Sequence, residues 1–345
     1  MTTRQDMGSR FKAEAVTLDR RRFLSLGCAC CSLFALKVPQ AFAAQTPEIE
    51  AHLASAKKVA GNDLLTYLRL ADQVKPISGL PMVTIEALRA MPTPEPAQVF
   101  DNLYFLGNHW VSAWAITTSD GIILVDAMDN AAEAAEIIEG GLRKLSLDPA
   151  TIKTIVVTHG HGDHYGGAEY LKAKYGASIA MSEPDWTLTE TKLDLDLPDW
   201  GRPPKRDVVL NDGDVVSLGD TEVDILLTAG HTPGTISLVF DVEDGEKTHR
   251  ALLWGGTAFN FADRPDRMER VQAYIASTER VIDLVTQQSV DVFISNHDIF
   301  DGAIGKIAAL REGAANPLVT GVETTLRALT VMNECAKATA LAWQG

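Results

Sequence analysis

The sequence has few cysteines, fewer basic than acidic residues and an unremarkable content of apolar residues. Four cysteines in 345 residues are too few for a disulfide-stapled scaffold. Lys and Arg number 31 against 46 Asp and Glu, so bulk electrostatics would repel a nucleic-acid backbone. Hydrophobic residues at 46% and charged residues at 22% are ordinary for a globular chain and exclude disorder or a fibre. We therefore expect a soluble, acidic enzyme or binder with no nucleic-acid partner.

Residues 1–43 differ from the rest and predict a bacterial export signal. The run Arg-Arg-Arg-Phe-Leu at 20–24 fits the twin-arginine pattern, and Ala-Phe-Ala at 41–43 fits a cleavage site. The weakly apolar stretch at 23–36 is about 14 residues long, whereas a membrane-spanning helix needs roughly 20. We therefore expect export by the twin-arginine route to the periplasm or beyond, without a membrane span. Cleavage would leave Cys335 and remove the other three cysteines: Cys28, Cys30 and Cys31.

Residues 44–99 predict an N-terminal extension ahead of the main domain. Apolar spacing favours helices at 47–60 and 62–73. The stretch then becomes proline-rich, with Pro81, Pro92, Pro94 and Pro96. Such a segment would pack on the domain or on a neighbouring subunit. Self-association through the extension, and the oligomeric state, stay open.

Residues 100–345 predict a single layered domain in which short apolar runs alternate with helical periodicity. The runs predict strands at 99–106, 112–118, 121–125, 152–158, 178–181, 207–210, 215–217, 223–228, 236–241, 250–254 and 290–295. Helical spacing predicts helices at 131–145, 163–175, 267–287, 303–311 and 318–343. Strand hairpins mixed with helices imply sheets covered by helices, which is an α/β or α+β fold.

The run Thr-His-Gly-His-Gly-Asp-His-Tyr-Gly-Gly at 158–167 is the strongest functional signal. It begins where a predicted strand ends and a helix begins, a usual place for a site in an α/β sheet. The glycines allow a tight turn that points several side chains at one spot. Four side chains of metal-ligand type fall within six residues: His159, His161, Asp163 and His164. This density predicts a metal site.

Two further histidines follow predicted strands in the same way. His231 lies in Ala-Gly-His-Thr-Pro-Gly after the strand at 223–228, and His297 lies in Ser-Asn-His-Asp after the strand at 290–295. Imidazole nitrogens with one carboxylate and no thiolate suit Zn²⁺, and a catalytic zinc site keeps an open position for water. The residues therefore predict a zinc site.

This pattern of His-x-His-x-Asp-His, then Gly-His-Thr-Pro-Gly, then a late histidine resembles the metallo-β-lactamase superfamily. The resemblance covers nearly all of the chain from Phe100 onward and includes Gly-Ile-Ile-Leu-Val-Asp at 121–126. It implies an αββα four-layer sandwich with two metals at one edge of the sheets. By position, the resemblance implies one zinc on His159, His161 and His231 and a second on Asp163, His164 and His297.

The residues after the strand at 250–254 indicate the subgroup. Most hydrolases of the superfamily, such as glyoxalase II and acyl-homoserine lactonases, have a bridging aspartate there in a Gly-Asp context, and zinc β-lactamases of the first subclass have a cysteine. This chain has Gly255, Gly256 and Thr257, with neither residue. An Asp-His-His second site with a hydroxyl residue at this point is similar to subclass B3 metallo-β-lactamases. Asn-Pro-Leu-Val at 316–319 also resembles a B3 feature.

The resemblance implies a zinc-dependent hydrolase that opens the β-lactam amide, and hence a role in antibiotic resistance. Zinc lowers the pKa of bound water from 15.7 to about 7, and the resulting hydroxide would attack the ring carbonyl. The second zinc would stabilise the departing nitrogen. Asp163 would ligate that zinc and orient the hydroxide, although it could also cap the following helix. Asp126 is expected either to support a ligand histidine or to be an ordinary strand-end carboxylate.

Three weaker candidates for substrate contact also have ordinary structural explanations. Trp110 lies in a loop that would overhang the site, and its ring could pack on an apolar substrate group. Tyr165 follows the ligand run, and Thr257 could bind a substrate carboxylate. Packing in the core is the ordinary alternative for both aromatic residues and the favoured one for Trp110, and a lone threonine is weak evidence of a substrate contact.

Three other functions remain open from the sequence. A lactonase or another ester or amide hydrolase would keep the fold and both zinc ions. Redox chemistry at an iron site is the second, although flavodiiron proteins usually carry Glu at the position of His161, and the iron families rely on the missing later aspartate. A metal-binding protein without catalysis is the third, which an intact set of six ligands disfavours.

Overall fold

The computed structural model describes residues 46–344, which contain twelve β-strands and the helices that cover them. The predicted export signal at 1–43, with its three cysteines, lies outside the described residues. Cys335 is a buried free thiol. Within residues 46–344, no helix combines the length and the apolar character needed to cross a membrane.

The strands form two sheets, as predicted for a layered domain. The first sheet contains β1 Ala97–Phe100, β2 Leu103–Gly107, β3 Ser112–Thr118, β4 Gly121–Val125, β5 Ile152–Val156, β6 Ser178–Ser182 and β7 Val208–Leu210, in that spatial order. The second contains β8 Val215–Leu218, β9 Thr221–Leu227, β10 Ile236–Asp244, β11 Lys247–Trp254 and β12 Val292–Ser295, also in that order. The pairs from β4 to β7 and the β11–β12 pair are parallel, and the others are antiparallel.

Helices connect the strands and flank both sheets. The α-helices are α1 Pro47–Ala60, α2 Ile85–Arg89, α3 Ala131–Glu133, α4 Gly140–Lys144, α5 Gly162–Tyr165, α6 Ala168–Tyr175, α7 Glu183–Thr191, α8 Arg267–Gln288, α9 Asp298–Asp301, α10 Ala303–Arg311 and α11 Val322–Gln344. A π-helical segment, Ala134–Glu139, joins α3 to α4, and 3₁₀ helices lie at Leu65–Ala71 and Pro149–Thr151.

Both faces of the central strands are apolar because both faces are buried. On β10, Leu238 and Phe240 lie in the core between the sheets, and Val239 lies in the core under α1, α8 and α11. On β3, Trp114 lies between the sheets, and Ala115 lies in the core under α4, α6 and α7. Successive side chains of a strand point to opposite faces, so one strand contributes to two cores. The layers are therefore helix, sheet, sheet and helix, which confirms the predicted αββα class.

The N-terminal extension begins with α1, which packs on α11. Thr46 is the N-cap, and its Oγ1 accepts a hydrogen bond from the Ile49 amide at 3.4 Å. Pro47 opens the first turn, where its missing N–H costs nothing. Ile49, Leu53 and Ala56 follow at helical spacing and are buried in the core that includes α11. The helix predicted at 47–60 is therefore confirmed.

Several predicted elements differ from the structure. The strand predicted at 99–106 is two strands, β1 and β2, which turn and pair antiparallel, and β1 starts ahead of the predicted domain boundary. The helix predicted at 163–175 is interrupted at 166–167, between α5 and α6. The helix predicted at 62–73 is a shorter 3₁₀ helix. Helix α7 was not predicted, because Trp186 is one of few apolar residues in it and gives no periodic signal.

We expect Leu53→Ala to lower the free energy of unfolding by about 2–5 kcal/mol, because it opens a cavity between α1 and α11 at a side chain that is 2% exposed. Urea unfolding measures this change. Lys57→Ala, on the exposed face of the same helix, is the control and should change the value by no more than about 0.5 kcal/mol. Equal effects of the two substitutions would contradict the packing of α1 on α11.

Candidate metal centre

The candidate site lies at the edge of the sandwich where β5, β9 and β12 end. The chain leaves β5, passes through His159 and His161 and enters α5 at Gly162. A Cβ at Gly162 would lie 2.5 Å from the ring of Trp200, so this close approach of the backbone requires glycine. His231 and His297 follow strands of the second sheet. Donors from both sheets therefore meet at one edge.

His159, His161 and His231 bring their ring nitrogens to one point and form what we call the three-His group. Nε2 of His231 lies 3.1 Å from Nε2 of His159 and 3.1 Å from Nδ1 of His161. The donor atoms all lie within 4.8 Å of one another. All three residues are buried, so this convergence takes place in the interior.

Asp163, His164 and His297 form a second cluster, the Asp-His-His group. Nε2 of His164 lies 3.2 Å from Nε2 of His297, and Oδ2 of Asp163 lies 3.5 and 3.9 Å from these two nitrogens. The N-cap of α5 is His161 and has no side-chain cap, so Asp163 does not serve as the cap. The ring centroids of His159 and His164 are 4.1 Å apart, so the two groups adjoin.

The donor sets fit divalent cations. Two nitrogens at about 2.0–2.1 Å from one tetrahedral zinc lie about 3.3 Å apart, close to the nitrogen–nitrogen distances of 3.1 and 3.2 Å. Oδ1 of Asp163 is buried and has no hydrogen-bond partner among the described residues. An unpaired buried carboxylate oxygen is costly unless a cation or a water satisfies it. Each group can therefore hold one divalent metal.

Four of the five histidines have their other ring nitrogen at hydrogen-bond distance from an oxygen. The pairs are His159 Nδ1 with Thr158 Oγ1 at 3.1 Å, His164 Nδ1 with Asp126 Oδ2 at 2.7 Å, His231 Nδ1 with the Ala258 carbonyl at 2.7 Å and His297 Nδ1 with the Trp110 carbonyl at 2.6 Å. Such contacts fix the ring orientation and leave Nε2 facing the metal.

Asp126 is one of these supporting residues, so of the two roles expected from the sequence it has that of a partner to a ligand histidine. It is fully buried after β4, and its carboxylate accepts hydrogen bonds from the Thr158 amide at 2.8 Å and the Thr158 hydroxyl at 2.9 Å. Its φ of 63° lies in the left-handed region, which Asp and Asn adopt more readily than most residues. Asp126 therefore supports His164 and also accepts the hydrogen bonds of Thr158, just after β5.

Burial sets the charge of most of these histidines. Burial and the neighbouring imidazoles lower the pKa of His159 and His231 well below the usual range, and that of His297 to about 4. These three rings are neutral at neutral pH, which is their metal-binding form. Burial also acts to lower the pKa of His164. The negative charges of Asp163 and Asp126 together have the larger effect and raise that pKa to about 10. A cation bound at Nε2 would displace this proton.

The three weaker candidates lie in different surroundings. Trp110 supports a metal donor, because its carbonyl is paired with His297 and the two ring centroids are 4.5 Å apart. Thr257 follows a backbone segment packed on His231, and its Oγ1 is buried without a partner among the described residues. Tyr165 is 1% exposed in the core outside the first sheet, which leaves almost no surface for a substrate.

Sequence reasoning missed a buried carboxylate that joins two ligand loops. Asp185, in the first turn of α7, accepts hydrogen bonds from the Gly160 amide at 2.7 Å and the Gly234 amide at 2.8 Å. It also accepts one from the Thr232 hydroxyl at 2.6 Å. The loop of His159 and His161 is thereby held to the loop of His231. An acidic residue in the first turn of a helix is common and gave no signal in the sequence.

Sequence reasoning also missed residues 192–207, the loop between α7 and β7. Oδ2 of Asp194 lies 3.9 Å from Nε2 of His161. The Trp200 ring packs on Gly162, with its centroid 6.5 Å from that of His161. No motif marks either residue, so the sequence offered no means of finding them.

We expect Asp126→Asn to weaken binding of a divalent metal by about 10–100-fold, because the His164 ring loses its anionic partner. Competition with a chelator measures the change. Asp120→Asn, in the exposed turn between β3 and β4, makes the same change of charge and should have no effect. Unchanged metal affinity in Asp126→Asn would contradict the supporting role of Asp126.

Comparison with known proteins finds a family match for part of this chain. Residues 108–245 match the model of the Metallo-beta-lactamase superfamily. Hydroxyacylglutathione hydrolase of Rhodopseudomonas palustris (strain BisA53) is 34% identical over 131 residues, which are 38% of this chain and 42% of that protein. An uncharacterized protein of Aquifex aeolicus is 32% identical over 135 residues, 38% of this chain and 58% of that protein. The chain spans about half the length of the curated relatives that it matches.

Solved structures extend the similarity over most of the fold. BJP-1, a subclass B3 metallo-beta-lactamase of Bradyrhizobium japonicum, has a TM-score of 0.63 and 29% identity over 72% of this chain and 96% of that one. The FEZ-1 metallo-beta-lactamase from Legionella gormanii has a TM-score of 0.61 over 72% of this chain and 96% of its own, and its 23% identity supports the fold alone. Residues 108–245 therefore match a metallo-beta-lactamase domain, and subclass B3 metallo-beta-lactamases are among the structural neighbours of the chain.

Proposed function

We propose that this chain is an exported dinuclear zinc hydrolase of the B3 type that opens the amide bond of β-lactams. The observation that carries the proposal is the pair of adjoining three-donor groups, which contain six buried donor residues and no cysteine. The similarity to BJP-1, a subclass B3 metallo-beta-lactamase, supports the substrate class. The twin-arginine pattern at 20–24 supports export to the periplasm or beyond.

The donor chemistry supports zinc as the metal. One group offers three imidazole nitrogens, and the other offers two nitrogens and a carboxylate oxygen, which are donors that zinc favours. When bound, two zinc ions would activate water at neutral pH, polarise the substrate carbonyl and stabilise the leaving nitrogen. The protein's part is to hold the donors in place, and burial keeps the rings of His159, His231 and His297 neutral for metal binding.

Asp163 has a second role in this proposal, because it is the one carboxylate among the six donors. Its Oδ2 faces His164 and His297, and its Oδ1 has no protein partner among the described residues. A carboxylate oxygen in this position can accept a hydrogen bond from the attacking water and direct its lone pair at the carbonyl carbon. Asp163 is therefore the proposed catalytic residue.

The runner-up is hydrolysis of a lactone or of another ester or amide, which the hydroxyacylglutathione hydrolase relatives support. Position 257 favours the B3 type over a site with a bridging carboxylate, because Thr257 stands where a Gly-Asp pair at 256–257 would place that carboxylate. Gly256 itself has no room for a side chain while His231 keeps its position. A Cβ at 256 would lie 2.7 Å from Cβ of His231 and 2.9 Å from its ring.

The substrate class is tested by offering the zinc-loaded protein three substrates: a chromogenic cephalosporin, a lactone and a hydroxyacylglutathione thioester. We expect turnover of the cephalosporin, and its loss on treatment with a chelator, because the proposed water activation depends on the metal. Turnover of the lactone or thioester without any turnover of the cephalosporin would reject the β-lactamase proposal in favour of the runner-up.

A ligand substitution accompanies this test. His161→Ala should lower turnover by more than the roughly 10–100-fold typical of losing a residue that supports a ligand, because it removes a donor itself. His52→Ala is the matched control, since His52 pairs with Glu334 between α1 and α11. Full activity in His161→Ala would refute its assignment as a donor, and equal loss in both variants would indicate general damage to the fold.

We expect Gly256→Asp to displace His231 and lower the zinc bound per chain rather than add a ligand, because the new side chain would overlap His231. Metal analysis after dialysis measures this. Gly305→Asp is the control with the same added charge, because a Cβ there meets nothing within 4 Å. Undiminished zinc content in Gly256→Asp would show that the backbone after β11 moves aside readily.

A further inference from the structure

A buried ion cluster borders the three-His group, and we call it the Asp194 cluster. Arg270 of α8 binds the Asp194 carboxylate in bidentate form, with Nη1 to Oδ2 at 2.5 Å and Nη2 to Oδ1 at 3.0 Å. Nη2 of Arg264 lies 2.6 Å from Oδ1, and its Nη1 donates to the Asp194 carbonyl at 3.1 Å. Asp266 accepts from Nε of Arg270 at 2.8 Å. Two acidic and two basic side chains therefore balance one another.

The Asp194 cluster reaches two of the three residues of the three-His group. Oδ2 of Asp194 faces Nε2 of His161 at 3.9 Å. Nη1 of Arg270 donates to the backbone carbonyl of His231 at 3.2 Å. Within residues 46–344, no hydrogen bond or ion pair joins the cluster to the Asp-His-His group. Its influence is thus directed at one of the two metal positions.

Among the five histidines of the site, His161 is the one whose outward ring nitrogen has no oxygen within hydrogen-bond distance among the described residues. Its Nδ1 faces the other donors, so its Nε2 points away from them. The other four histidines each have an oxygen within hydrogen-bond distance of the ring nitrogen that faces away, and for His161 the Asp194 carboxylate occupies that side. An imidazole bound to a cation through one nitrogen carries a proton on the other, and a carboxylate facing that proton fixes the ring and strengthens the donor.

Fold stability is a poor explanation for the pair at the centre of the cluster. Arg270 and Asp194 are 4% and 5% exposed at their side chains. Removing two charges from water carries a desolvation cost that their attraction often only offsets, and apolar residues of similar volume stabilise a fold equally well or better. A buried pair beside two metal donors is better explained by the donors that it orients.

We propose that Asp194, fixed by Arg270 and Arg264, is a positioning residue for the three-His group. The proposal rests on metal binding in the proposed function. Asp194 holds the His161 ring with Nδ1 toward the metal position, and Arg270 holds the backbone of His231. It follows that losing the Asp194 carboxylate weakens metal binding at the three-His group and leaves the Asp-His-His group unaffected.

The test isolates one metal position in the full chain. Asp163→Ala removes a donor from the Asp-His-His group, so the tightly bound zinc in this variant belongs to the three-His group. Competition with a chromogenic chelator gives its affinity. Adding Asp194→Asn should lower the affinity for this zinc by about 10–100-fold. The visible spectrum of Co²⁺ in the same variants is a second readout, because it reports coordination geometry and should change with the His161 ring.

Asp212→Asn is the matched control on the same background. It removes the same charge from another bidentate Arg–Asp pair of α8, whose Arg280 and Asp212 side chains are 45% and 44% exposed. Because exposed pairs contribute little, zinc affinity should stay within about twofold. If Asp194→Asn fails to fold, Arg264→Gln is the substitute, because it loosens the same carboxylate without leaving Arg270 unpaired. It should also lower the zinc affinity.

The outcomes separate this proposal from the proposed function. Equal zinc affinity with and without the Asp194 substitution, and an unchanged Co²⁺ spectrum, would overturn the positioning role. An equal loss in Asp212→Asn would also overturn it, because the effect would then be a general one of charge or stability. A wild-type chain that binds no zinc would overturn the proposed function instead.

Discussion

The buried carboxylate of Asp126 holds together the edge of the sandwich on which the metal centre depends. It follows β4 and is paired with the ring of His164 and with Thr158, which follows β5. Asn296, after β12 of the other sheet, donates to the Thr158 hydroxyl at 2.9 Å and to the Gly255 carbonyl, after β11, at 2.6 Å. One polar network therefore joins four strand ends from two sheets.

A junction of this kind is necessary because each metal group draws on both sheets. The three-His group takes two donors from the loop after β5 and one from the loop after β9. The Asp-His-His group takes two from α5 and one from the residues after β12. If the sheets shifted relative to each other, both groups would lose a donor at once. The close-packed core between the sheets resists such a shift, so fold stability and metal geometry depend on the same contacts.

The sequence was informative wherever function depends on neighbouring residues. All six proposed donors could be identified because they lie in one dense motif or just after an apolar strand, and α1 could be identified because its cap and its apolar spacing are local. Asp185, Asp194 and Trp200 could not be identified. Asp185 acts on Gly160, 25 positions away, and on residues of the 231–234 loop that are still more distant. Only the folded chain brings these side chains together, so no spacing in the sequence reports them.

The close packing of the Gly256 backbone on His231 has a consequence for which positions of this loop can vary. A side chain at 256 would overlap His231, and moving the backbone would also disturb Ala258, whose carbonyl is paired with the His231 ring. A substitution at 256 would therefore displace a metal donor at once. Thr257 has a buried hydroxyl without a partner among the described residues, so its side chain can change without breaking a hydrogen bond of this loop. Sequence changes that alter the chemistry of the site while keeping its metal are therefore expected at 257 and not at 256.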